Sequence, residues 1–97
     1  MTGQPRSIPD ILSARLCTIQ SIASANAEHL RLSQLAGGMM VLDMKDEADG
    51  TTSTQRDEAR GQVYAALQAT IDAIRELELQ LADLDRELEA AVAREEE

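Results

Sequence analysis

An unbroken three-four spacing of apolar positions runs from Val63 to Ala91: Val63, Leu67, Thr70, Ile74, Leu77, Leu81, Leu84, Leu88 and Ala91, with Thr70 its one polar member. A mean step of about 3.5 residues holds one stripe of a long helix toward a partner helix, whereas a strand would need alternation. The other faces carry Asp72, Arg75, Glu76, Glu78, Asp83, Asp85, Arg86, Glu87 and Glu89. The pattern predicts a helix over residues 54–94 whose leucine seam is covered and whose remaining circumference meets water.

A second repeat can be traced in the first half: Leu12, Leu16, Ile19, Ala23, Asn26, Leu30, Ser33, Gly37, Met40 and Met44. It predicts a helix over residues 7–44, capped by Ser7, with Pro9 in the first turn and Asp10 three residues beyond the cap. Gly37 and Gly38 could end this helix or kink it. Length favours continuity. Residues 7–44 would extend about 57 Å and residues 54–94 about 61 Å, nearly equal arms for an antiparallel pair. Interior glycine costs about 1 kcal/mol relative to alanine, and close backbone approach across the seam would be the compensation. Residues 45–53, KDEADGTTS, read as the linker, with Ser53 or Thr54 as the next helix cap.

The expected fold is therefore all-α: a single domain, residues 1–97, built as an antiparallel helical hairpin or coiled coil. With no Phe or Trp and Tyr64 the one aromatic residue, its core must come from aliphatic side chains. Oligomerisation is a common supplement for such a small core, and a dimeric four-helix bundle is the expected assembly. Leu12, Leu16, Ile19 and Leu30 would form the first helix's half of the hairpin seam. Val63, Leu67, Ile74, Leu77, Leu81, Leu84 and Leu88 would form the other half. Asn26 and Thr70 are the candidate register-setting pair, because a polar group in a helical seam demands a matching partner.

Between Leu16 and Leu30 the ionisable residues are Cys17, Glu28 and His29. A solvated helix face normally carries more charge. The candidate oligomer or partner surface is accordingly Cys17, Ser21, Ile22, Ala25, Leu35, Met39, Met40 and Met44, the methionines supplying adaptable contact.

The net charge of −9 is unevenly placed: residues 1–50 carry four basic and six acidic side chains, residues 51–97 five and twelve. This balance argues against direct binding to a nucleic-acid backbone. It would suit a basic partner surface instead. Chemistry finds little foothold. His29, the one histidine, belongs to no metal-ligand or catalytic spacing. The acidic cluster Asp43, Asp46, Glu47 and Asp49 fails as a calcium loop: with Gly50 as the sixth residue, Lys45 and Arg56 would occupy the first and twelfth positions. No catalytic, metal or cofactor-binding residue is assigned, and no cofactor is expected. Cys17, the one cysteine, allows no internal disulfide. The opening MTGQPRSIPD lacks the apolar run of a signal peptide, and no stretch reaches the roughly 18–20 apolar residues of a membrane span. A cytoplasmic setting is the expectation.

The expected function is noncatalytic protein–protein interaction, as a small scaffold, adaptor, chaperone or regulator. Two alternatives stand beside it: an acidic anti-regulator that sequesters a basic nucleic-acid-binding protein, and a small-ligand-binding or enzymatic helical bundle.

Overall fold

The computed structural model describes residues 5–50 and 54–96. They form two helices, α1 (Ile8–Asp49) and α2 (Thr54–Glu96), in an all-α hairpin. At the start of α1 the Ser7 hydroxyl accepts a hydrogen bond from the Asp10 N–H at 3.2 Å, and the Ser7 carbonyl accepts from the Ile11 N–H at 3.0 Å. Pro9 lies in the first turn, where its missing N–H would have had no intrahelical acceptor.

Helix α1 runs through Gly37 and Gly38 and continues to Asp49, beyond the expected end at Met44. The extension has a physical cause. Asp43 pairs with Arg60 and Asp46 with Arg56, so the segment read as linker is tied to α2 while still helical. The helix stops at Gly50, whose φ of 75° is left-handed and whose N–H donates to the Glu47 carbonyl at 3.2 Å. Glycine reaches that conformation without the Cβ clash other residues meet. The caps expected from Ser53 or the Thr54 side chain lie outside the described residues, as do the first four residues and Glu97.

Packing divides into two units. In Ala25–Ala73, Leu32, Ala36 and Val63 form a buried cluster, with Met39, Ala66 and Leu67 against it. In Met1–Ser24 with Ile74–Glu97, the buried cluster is Ile11, Leu84 and Ala91, joined by Ile8, Ala14 and Leu88. Along α2, Val63, Leu84 and Ala91 are buried, while Leu67, Thr70, Ile74, Leu77, Leu81 and Leu88 are half-buried.

On α1 the inner face is not the expected one. Ile11, Thr18, Leu32 and Ala36 are buried, and Ile8, Arg15, Ile22, Ala25, His29, Met39, Asp43 and Asp46 are half-buried. These positions also alternate by three and four. The expected stripe sits one residue later throughout, and Leu12, Leu16, Ile19, Asn26, Leu30, Met40 and Met44 are all exposed. One residue is a turn of about 100° around a helix.

Polar matching accounts for the difference. Arg15 bonds Asp85 at 2.6 Å, His29 bonds Thr70, and Asp43 and Asp46 find Arg60 and Arg56. The expected stripe would have offered α2 none of these partners. The glycines correct a further expectation. Nothing lies within 4 Å of a Cβ built on Gly37 or Gly38, so neither permits a close approach of α1 to α2.

Candidate interaction surface

In the Ala25–Ala73 unit the outer face of α1 presents Leu30, 60% exposed, and Met44, 65% exposed, with Met40 and Val41 exposed as well. Asn26, Ser33 and Gly37 share the stripe and are exposed. Helix α2 brings the exposed Tyr64 to the same side. Met40, Asp43, Met44, Glu47, Arg60 and Tyr64 line a shallow depression of about 280 Å³. Its one cation is engaged: Arg60 donates to Asp43 and, at 2.8 Å, to Asp57. The hydrogen bond that Arg60 donates to Asp43, and then the charge of that carboxylate, hold the Arg60 pKa above its ordinary value. The depression therefore offers methionine and tyrosine surface beside an acidic margin, where one guanidinium serves two carboxylates and Glu47 is exposed.

In the other unit Leu12, Leu16 and Ile19 are exposed on α1, as is Cys17. Arg6 grips Glu87 through two hydrogen bonds, the Nε contact being 3.0 Å. A second shallow depression there is lined by Pro5, Arg6, Ser7, Ile8, Ala91, Arg94 and Glu95.

The expected partner surface is sorted by these positions. Cys17, Ser21, Leu35, Met40 and Met44 are exposed, whereas Ile22, Ala25 and Met39 are half-buried on the inner face of α1. Leu12, Leu16, Ile19 and Leu30, expected in the hairpin seam, join the exposed side instead. The register pair changes too. Asn26 points away from α2, and the partner of Thr70 is His29, with Nδ1 and Oγ1 2.9 Å apart. The missed signal was positional. His29 falls on the same three-four series as Leu32 and Ala36, one step before the series Asn26 belongs to.

Glu28 and Arg31 pair on the exposed side of α1, with contacts of 2.6 and 2.9 Å. The hydrogen bond from Arg31 holds the Glu28 pKa below its ordinary value. On α2, Arg86 pairs with Asp83, and Gln68 donates to Asp72 at 3.0 Å. Among the described residues no group of three or more His, Cys, Asp or Glu is placed to hold a metal ion. No described helix is long and apolar enough to cross a membrane. No protein-family model, curated protein or solved structure gives a significant match to the chain.

Proposed function

We propose that this chain is a noncatalytic protein–protein interaction module, a small cytoplasmic scaffold, adaptor, chaperone or regulator that works as a dimeric four-helix bundle. One observation carries the reading: α1 buries one three-four series of residues and leaves a second, richer in Leu and Met, in water. Apolar contact area left uncovered on a helix is the raw material of a helix-to-helix interface. Affinity capture from native cells, with wild-type and Leu30→Glu chains as parallel baits, tests the reading. Proteins held by the wild type and lost by the variant support it; identical captures by both baits overturn it.

The exposed acids Asp72, Glu76, Glu78 and Glu89 of α2 favour a second reading, sequestration of a basic protein surface. Binding of that kind weakens steeply with added salt, because exposed charges are screened over about 10 Å at 0.1 M ionic strength. Binding through the α1 outer face changes little with salt.

A further inference from the structure

We infer that the depression bounded by Met40, Met44, Glu47 and Tyr64 receives an arginine side chain from a basic segment of another protein. The inference rests on the second reading above, a basic partner surface, and gives that partner one point of attachment.

The side chains come together from both helices of the Ala25–Ala73 unit. Met40, Met44 and Glu47 follow one another at steps of four and three along α1, so they share a face. Arg60 and Tyr64 stand about one turn apart on α2. Met40, Met44, Glu47 and Tyr64 are exposed, and the depression measures about 280 Å³. Pockets that envelop a small molecule usually measure about 300–1,000 Å³. A shallow depression below that range suits one side chain held in place by the rest of a partner.

Charge selects a cation. Around the depression three carboxylates, Asp43, Glu47 and Asp57, stand against one guanidinium, and Arg60 is committed to Asp43 and Asp57. The local balance is negative in a chain whose net charge is −9, so an incoming cation is favoured over a neutral or acidic group. The depression beside Pro5 and Ile8 has the opposite balance, with Arg6 and Arg94 to one Glu95.

The apolar floor narrows the choice of cation. Tyr64 is the chain's one aromatic residue, and a ring face attracts a cation laid across it. Methionine adapts its shape to whatever lies against it. Arginine answers every feature at once: an apolar stem for the methionines, a planar group that stacks on a ring, and paired N–H donors for the Glu47 carboxylate. Lysine, a compact and strongly hydrated charge, gives up the stacking and the paired contact.

The test is titration of the full chain into a labelled synthetic peptide of four Arg-Leu-Ala repeats, read by fluorescence anisotropy at low and high salt. NMR of the methionine methyl and tyrosine ring signals locates the contact. The peptide should shift the Met40 and Met44 methyls and the Tyr64 ring, leaving Met39, half-buried on the inner face of α1, nearly unmoved. Tyr64→Leu keeps apolar area but loses the ring. That variant and Glu47→Gln should each weaken binding about threefold, the scale of an exposed cation–ring contact or ion pair. Leu79→Ala, at an exposed site elsewhere on α2, should leave it unchanged. Circular dichroism verifies that each variant stays helical. A lysine-for-arginine peptide should bind more weakly, and a glutamine-for-arginine peptide more weakly still.

Equal binding of the glutamine peptide would overturn the inference, as would the same shifts from arginine amide alone at equal concentration. Salt-sensitive binding that bypasses Met40, Met44 and Tyr64 refutes this site while leaving the basic-partner reading standing. No binding of the arginine peptide, even at low salt, removes both.

Discussion

The Nδ1 atom of His29 lies 2.9 Å from the hydroxyl oxygen of Thr70, and that hydroxyl also lies 2.7 Å from the Leu67 carbonyl oxygen. A hydroxyl has a single proton. Both contacts are satisfied together when Thr70 donates to Leu67 and His29 donates through a protonated Nδ1. The pair thus fixes the imidazole tautomer and holds α1 and α2 in step at a half-buried position. Thr70→Val removes the acceptor and strands that N–H. It should destabilise the hairpin by about 1 kcal/mol, read as a lower urea midpoint. Asn26→Ala, on the solvent side, should cause no loss.

Neighbouring leucines on α1 should behave very differently. Leu32 is 5% exposed, within the cluster of Ala36 and Val63, while Leu30 is 60% exposed. Leu32→Ala should cost about 2–3 kcal/mol through lost burial and a residual cavity. Leu30→Ala should stay within about 0.5 kcal/mol. Chemical denaturation at concentrations too low for self-association measures both.

Gly37→Ala and Gly38→Ala should each stabilise the isolated hairpin by up to about 1 kcal/mol. The new methyl meets no atom within 4 Å, and the glycine's freedom in the unfolded chain is reduced. Thermal unfolding at low concentration should show the rise.

Acid titration should single out Glu28. Its folded-state pKa is lowered by the hydrogen bond from Arg31. The stabilisation it contributes is present above the ordinary glutamate range and is lost as pH falls through the lowered folded value. A carboxyl-carbon NMR titration should place its midpoint below that of an unpaired glutamate, and Arg31→Gln should move it upward. An unchanged midpoint in Arg31→Gln would remove the assigned cause.

Two long helices and the buried side of α2 were legible in the sequence because α2 confines its leucines largely to one stripe and surrounds them with charge. The inner side of α1 was not, for a physical reason. Two three-four series lie one residue apart on that helix, and the one with larger apolar side chains is the one facing water. Periodicity cannot choose between them. The distinguishing information was cross-helix polar complementarity: Asp43 and Asp46 before the turn lie opposite Arg60 and Arg56 after it, and Arg15 lies opposite Asp85. Continuity through Gly37 and Gly38 followed from matching arm lengths, but the extension to Asp49 depended on those same ion pairs.

Helix α1 therefore has a rotational ambiguity built into its sequence. In the Ala25–Ala73 unit, spinning it by one residue would carry Leu30, Met40 and Met44 toward α2 and take Leu32, Ala36 and Met39 out of their contact with Val63 and Leu67. The same spin would strip His29 from Thr70, Asp43 from Arg60 and Asp46 from Arg56. These polar pairs act as a key that fits one angular setting, and they keep Leu30, Met40 and Met44 pointing outward.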